Sequence, residues 1–270
     1  MAIYTDQTGN SISLASKPTR IVSLVPSQTE LIYDLGLDKE VIGITKFCVH
    51  PGQWFQSKTR VGGTKTVHIE KVKKLAPDLI IANKEENVKE QVNELAAQFP
   101  VWTSNISNLP EALHMIKAIG TVTDTAEKAN QLTEKISSRF DQLILPQQML
   151  RTAYLIWQHP YMTIGGDTFI HDMLTRCGFE NIFGDQQRYP SITVEEIKNR
   201  HCRLLLLSSE PFPFKQKHID ELQQQLPSTK IVLADGEMFS WYGSRLLLAP
   251  AYFELLIEGL SDCGIVGSVE

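Results

Sequence analysis

Short apolar runs alternate along this chain with segments of helical period. Arg20–Val25 (RIVSLV) is the first such run and ends at Pro26. Behind it Leu31, Ile32 and Leu35 share one stripe, Ser27 or Thr29 is available as a cap, and Gly36 is a stop, which together predict a helix. The pattern then predicts a strand over Val41–Thr45, a short helix over Val67–Leu75 and a strand over Leu79–Ala82. A helix over Val88–Phe99 and a short strand over Val101–Thr103 follow. Strands that are apolar on both faces and separated by helices belong to parallel sheets covered on both sides.

The same order then recurs. Ile69–Ile81 (IEKVKKLAPDLII) aligns with Val194–Leu207 (VEEIKNRHCRLLLL), placing Glu70 on Glu195, Val72 on Ile197 and Leu79 on Leu204 at one constant offset. Upstream, Arg20–Gly36 is echoed by Thr152–Gly178. Between the halves, Ala129, Leu132, Ile136, Phe140 and Leu143 form one helical stripe, and neither Pro nor Gly occurs from Val122 to Leu145. The expected fold is therefore α/β: two Rossmann-like lobes with parallel sheets, joined by one long α-helix, with a ligand cleft between the lobes. The expected limits are residues 1–120, 121–148 for the connecting helix, and 149–270. A helix of about 20 residues spans about 30 Å, and packed along both lobes it restricts hinge opening.

Composition narrows the function. With 270 residues and 42% hydrophobic content the chain can build two cores, and 21% charged residues of mixed sign make it a soluble globular type. A net charge of -5 argues against general nucleic-acid binding. Nothing approaches the roughly 20 apolar residues of a membrane span. The start, MAIYTDQTGN, lacks the basic and apolar stretches of a secretory signal, so either a leader was removed or the protein is not exported by that route and is a cytoplasmic relative. The four cysteines, Cys48, Cys177, Cys202 and Cys263, lie far apart without metal-finger spacing, and no structural disulfide is expected.

In parallel sheets ligands bind beyond the carboxyl ends of the strands. Those loops are Pro26–Thr29, Lys46–Trp54 and Gly62–His68 in the first half, and Trp157–Gly166, Ser208–Phe214 and Gly236–Arg245 in the second. They carry Phe47, Trp54, Trp157, Tyr161, Phe212, Phe214, Phe239, Trp241 and Tyr242, although only 8% of the chain is aromatic. For any single ring, capping the end of a core is a sufficient reason. For the set, a large, flat, partly apolar ligand that stacks on rings is the better one. Pro26 and Ser27 complete the candidate contacts. His50 and His159 each sit in such a loop and are candidate axial ligands of a metal carried by the ligand, or else solvated loop histidines. His114, His171 and His201 are read as structural. A protein-held zinc site from His50, His68, His159 and a carboxylate is not demanded by the spacing. Arg245 is placed either to clamp an acidic group or to close a salt bridge.

No nucleophile elbow, P-loop or Rossmann glycine triplet occurs, and Gly165-Gly166-Asp167-Thr168 reads equally as an anion site or a tight turn. Of the cysteines only Cys48 lies in a candidate loop, so an enzyme built around a metal cluster is the weaker alternative. Glu70 and Glu195 occupy matching first-turn positions. The helix dipole favours one such carboxylate anyway. A matched pair suits two arginine pockets on a two-fold symmetric membrane partner.

These segments resemble a known family. RIVSLVPSQTELIYDLGL, the strand Ala76–Ile81 and GGDTFIHDMLTRCGFENIFG at Gly165–Gly184 are similar to the helical-backbone class of ABC-importer substrate-binding proteins, from about Arg20 to about Leu260. That class takes up cobalamin, haem and ferric siderophores. The resemblance is greatest to its cobalamin-binding members, through Val25–Glu30 and Val49-His50-Pro51, where His replaces a tyrosine. It implies a periplasmic, monomeric, non-enzymatic binder with no cofactor of its own. A corrinoid or another metal chelate is then the transported ligand, and a permease homodimer docks on Glu70 and Glu195. A corrin-stacking tryptophan of those members falls near Thr64-Lys65 and is absent here.

Overall fold

The computed structural model describes residues 1–262, so Cys263 lies outside the described residues. The chain divides into two compact units. One holds Met1–Ile106, Pro110–Ile136 and Tyr242–Arg245, and the other holds Ser107–Leu109, Ser137–Trp241 and the chain from Leu246.

The first unit opens with an antiparallel hairpin, β1 (Ala2–Thr5) and β2 (Ser11–Leu14), which the hydrophobic pattern did not predict. Its elements continue as β3 (Ile21–Ser23), α1 (Pro26–Asp34), β4 (Val41–Ile44), α2 (Gly52–Ser57), β5 (Thr59–Arg60), α3 (Ile69–Leu75), β6 (Leu79–Asn83), α4 (Lys89–Ala96) and β7 (Val101–Ser104). The five strands β5-β4-β3-β6-β7 form a parallel sheet in that order. Val22, Leu24, Val61, Val72, Ile80 and Leu95 make up one of its cores. Full burial of each such side chain contributes about 1.5–3 kcal/mol.

Two helices then follow, α5 (Leu109–Val122) and α6 (Ala126–Asp141). The expected single rod over 121–148 is thus shorter, 16 residues or about 24 Å, and starts later. Asp124 at φ 58 turns the chain, and the amide of Thr125 donates to the carbonyl of Gly120 at 2.7 Å. Thr123 Oγ1 donates to the carbonyl of Ile119 and pairs with Thr125 Oγ1, and the helix ends at left-handed Asp124 rather than at a Gly or Pro. A Cβ on Gly120 would lie 2.4 Å from that of Ala129, so the two helices meet at a glycine. The division between the units falls inside α6, between Ile136 and Ser137.

The second unit contains β8 (Leu150–Leu155), β9 (Tyr161–Met162), α7 (Phe169–Arg176), β10 (Phe179–Asn181), β11 (Ser191–Ile192), α8 (Val194–Asn199), β12 (Leu204–Ser208), α9 (Gln216–Gln225), β13 (Lys230–Ala234), α10 (Gly236–Ser240) and α11 (Ala249–Asp262). The strands β10-β8-β12-β13 form a parallel sheet, and β9 and β11 form a separate antiparallel pair. The order of these four parallel strands repeats β4-β3-β6-β7, so β12 corresponds to β6 and α8 to α3, in agreement with the repeat read from sequence. Ala153, Leu155, Phe183, Ile197, Leu205 and Leu222 belong to its core.

Pro26 is not the stop of a strand but the first residue of α1. Val25 is the N-cap and no side chain caps the helix. A proline there lacks only an N–H that would be unsatisfied and brings a preset φ. Ser27 and Thr29, expected as caps, are buried in the first turn.

The hairpin covers the edge strand β7. The amide of Gln7 donates to the carbonyl of Thr103 at 3.2 Å. Buried Asp6 binds the amides of Thr8 and Asn10 through Oδ1, at 2.9 and 2.8 Å, and the amide of Thr103 through Oδ2 at 3.2 Å. Covering an edge in this way removes a template for aggregation. Asp6→Ala orphans these donors and is expected to lower the unfolding free energy by about 1–3 kcal/mol in urea titrations. An unchanged midpoint would show that the carboxylate does not anchor the edge.

Candidate ligand-binding loops

In the first unit the loop after β4 holds Lys46 to His50, followed by a cis His50–Pro51 bond. Phe47 is 51% exposed and Val49 41%. Both are large apolar side chains at a carboxyl end. Beneath them Cys48 is fully buried, with Sγ 3.0 Å from Thr29 Oγ1 and 3.1 Å from Thr45 Oγ1. Burial pushes its thiol up to about 11.

The next loop crosses close to the first. Gly62 has φ +109, and a Cβ there would lie 2.4 Å from the carbonyl oxygen of Thr66. Its own carbonyl accepts from the amide of Lys46 at 2.8 Å. Behind the loops lies an amide network. Gln28 Nε2 donates to Ser104 Oγ at 2.5 Å and Asn83 Nδ2 donates to the same oxygen at 2.9 Å. Asn87 Nδ2 donates to the carbonyls of Leu24 and Thr64. Amide donors paired in this way fix loop geometry, because breaking any one leaves a desolvated donor unpaired, while Gln28 Oε1 is itself buried without a partner among the described residues.

The segment Tyr242–Arg245 belongs to this unit rather than to the second half in which it was expected. Arg245 binds Glu30 through Nε at 2.9 Å and Nη2 at 2.5 Å, both side chains being largely buried. Of the two roles considered for Arg245, the salt bridge is the one formed. Ser244 Oγ donates to Asp34, and the phenol of Tyr242 donates to Glu86 at 3.1 Å. Burial, reinforced by Glu86, keeps that phenol neutral well above its ordinary range. A Cβ on Gly243 would lie 2.3 Å from the carbonyl oxygen of Ser27, so this segment lies directly against α1. Pro26 and Ser27 are correspondingly buried.

In the second unit Trp157 stands at the end of β8 and is 40% exposed. Its ring lies 5.6 Å from that of Phe212, which lies 4.8 Å from Phe214 and 5.5 Å from His218. Edge-to-face packing of this kind holds an aromatic in one orientation at the surface. His159 is exposed at φ 63 and precedes a cis proline. Tyr161, half-buried, begins the β9–β11 pair, and its hydroxyl accepts from Gln158 Nε2 at 3.4 Å.

Other candidates lie in cores. Trp54 is 1% exposed, donates to Asp38 and packs edge-on against Tyr33 at 5.2 Å. Phe239 packs against Tyr154 and Phe253 at 5.2 and 4.8 Å. Trp241 is buried, with Nε1 donating to Glu210 at 3.0 Å. These rings offer no face to a ligand. Alternation of strand and helix locates a loop, but not which loop residues fold back into the protein. Among the described residues no group of three or more His, Cys, Asp or Glu is placed to hold a metal ion, and no helix is long and apolar enough to cross a membrane.

Residues 21–232 match the family model described as periplasmic binding protein, and the chain belongs to that family. It is 27% identical over 204 residues to the vitamin B12-binding protein of Vibrio cholerae, covering 73% of this chain and 74% of that one. It is 25% identical over 250 residues to the vitamin B12-binding protein of Yersinia pestis, covering 88% and 87%. The fold is that of the crystal structure of a periplasmic vitamin B12-binding protein of Vibrio cholerae, with a TM-score of 0.72 at 21% identity over 89% of this chain and 97% of that one. A periplasmic haem-binding protein of the same organism gives 0.76 at 20% identity over 88% and 98%.

Glu210, in the candidate loop after β12, was not singled out by sequence reasoning. It accepts from Ser240 Oγ at 2.6 Å as well as from Trp241, and burial raises its carboxyl above the ordinary value of 4.5. A carboxyl raised by folding favours the fold at low pH and loses that advantage as pH rises through the folded value. Glu210→Gln keeps the acceptor and removes the charge. Thermal unfolding of the variant should match wild type at about pH 4 and exceed it at about pH 8. A difference independent of pH would contradict the assigned burial cost.

Proposed function

We propose that this chain is the extracytoplasmic binding component of an importer, taking up a metal chelate, most specifically a corrinoid, and releasing it chemically unchanged to a membrane permease. The observation that carries this reading is the pair of rings left exposed at carboxyl ends. Phe47 and Trp157 are large apolar side chains left exposed, Phe47 on a loop anchored through buried Cys48 and its threonine partners, and Trp157 packed edge-on against Phe212. A flat macrocycle is the kind of ligand such rings hold. The relatives named for vitamin B12 point to a corrin as that macrocycle. His50 and His159 are the candidate axial ligands, since an imidazole coordinates a metal through a free ring nitrogen.

Titration of the purified protein with cyanocobalamin, haemin and a ferric hydroxamate, followed by tryptophan fluorescence and visible absorbance, tests the ligand. Cyanocobalamin is expected to quench saturably at one equivalent and to be recovered unaltered. Trp157→Leu is expected to weaken binding by about tenfold, the order of one lost stacking contact. Saturation by haemin or the hydroxamate alone would replace the corrinoid, and no saturation by any of them would refute chelate binding.

Permease docking rests on Glu70 and Glu195. Each is the second residue of its helix, in α3 and in the corresponding α8. Glu70 is 78% exposed and bridges to Lys73 at 2.9 Å. Glu195 is exposed beside a capping box made by Thr193 and Glu196. Carboxylates presented at the same place on two related units suit two arginine sites on a two-fold partner. The double charge reversal Glu70→Lys with Glu195→Lys should abolish uptake in cells while leaving ligand Kd unchanged. Lost affinity in that variant would place these acids in the binding site instead.

A further inference from the structure

A cavity of about 700 Å³ opens in the first unit between the β1–β2 turn, the loop after β6, α4 and the end of β7. Asn10, Asn83, Asn87, Asn93 and Asn105 line it, five of the nine asparagines in the chain. Lys84 and Lys89 are its charged groups, and among the described residues neither an acid nor an aromatic ring lines it. No residue of the loops after β3, β4 and β5 takes part, so the cavity is separate from the candidate ligand-binding loops.

The segment Lys84–Glu90 (KEENVKE) sorts its charges around this space. It gives both lysines and Asn87 to the lining, while Glu85, Glu86 and Glu90 stay outside it and Glu86 accepts from Tyr242. Buried Asn83 holds the loop in that form. Its Oδ1 accepts from the amides of Glu85 and Glu86 at 2.8 and 3.0 Å, and its own amide donates to Asn87 Oδ1 at 2.9 Å. The floor is thus bonded internally. At the rim, the side chains of Lys84, Lys89, Asn93 and Asn105 make no hydrogen bond or ion pair with the described residues. Lysines that serve only solubility have three acids to pair with in their own segment, and these two are turned away from them.

The lining selects a ligand by its chemistry. Carboxamides both donate and accept, which suits hydroxyl groups, and ammonium groups suit an anion. A metal cation calls for carboxylates and a flat conjugated molecule for a ring to stack on, and the lining offers neither. The volume is that of a small-molecule site. We infer that this cavity binds a polyhydroxylated anion of monosaccharide size, a sugar acid or a sugar phosphate, with Lys84 and Lys89 on its charge and Asn93 and Asn105 on its hydroxyls. The inference stands independently of the chelate reading.

Calorimetric titration of the full chain with glucuronate, glucose 6-phosphate, glucose and inorganic phosphate tests it. Glucuronate or glucose 6-phosphate is expected to bind about tenfold more tightly than glucose or phosphate alone, the effect of two modest ion pairs, and the one that binds identifies the acid as carboxylate or phosphate. That preference should shrink as salt is raised. Lys84→Gln with Lys89→Gln should bring the charged sugar down to the affinity of glucose. In amide NMR spectra the bound sugar should shift the signals of Asn10, Lys84 and Asn93 and leave those of Phe47 and Trp157 in place. Equal affinity for charged and neutral sugars, a preference that survives the double substitution, shifts confined to the loops after β3 and β4, or no binding of either charged sugar at millimolar concentration would overturn the assignment. None of these outcomes bears on chelate binding, which the cyanocobalamin titration decides separately.

Discussion

Parallel strand pairing is the constraint on which the rest of the molecule depends. A parallel strand cannot return through a tight turn, so each must be followed by a crossover, and every crossover leaves from the same edge of its sheet. In the first unit that edge gathers the loops after β3, β4, β5 and β6. In the second it gathers those after β8, β12 and β13. The apolar strand interiors secure the sheets by burial, Leu204 to Leu207 being wholly inaccessible. What remains for function is decided in the few residues where each loop leaves its strand.

Those residues are held by polar groups that folding has removed from water. The amides of Gln28, Asn83 and Asn87, the hydroxyls of Thr29 and Thr45 around Cys48, and the guanidinium of Arg245 on Glu30 all bond within the first unit. Each such bond adds only about 1 kcal/mol net, but loss of one partner costs more because the other stays buried. The loops of the first unit, including the one that bears Phe47, are thereby preorganised, while Trp157 is oriented by its edge-on contact with Phe212. Preorganisation favours binding because less freedom is lost when the ligand arrives.

Much of this fold was legible in the sequence because its signals are periodic. The alignment of Ile69–Ile81 with Val194–Leu207 corresponds to matching helix–strand units, α3–β6 and α8–β12, in sheets of the same strand order. The loops that bear the rings were legible for the same reason. What was not legible depends on contacts distant in sequence. Nothing near Trp54 announces that Asp38 and Tyr33 enclose it, and nothing in SWYGS shows that Tyr242 and Arg245 reach Glu86 and Glu30. The break between α5 and α6 was hidden because the helix ends at left-handed Asp124, with the hydroxyls of Thr123 and Thr125 paired beside it, without the usual glycine or proline. The β1–β2 hairpin was missed because its strands are short and its anchoring acid, Asp6, pairs with an amide far along the chain.

The central claim is that the ring-bearing loops at the strand carboxyl ends hold the ligand. Amide hydrogen exchange, compared with and without saturating cyanocobalamin, tests it most directly. The account predicts slowed exchange in the loops that carry Phe47, Lys65 and Trp157, with the amino ends of both sheets unaffected. Protection confined to those amino ends, or saturable binding with no protection in these loops, would contradict it.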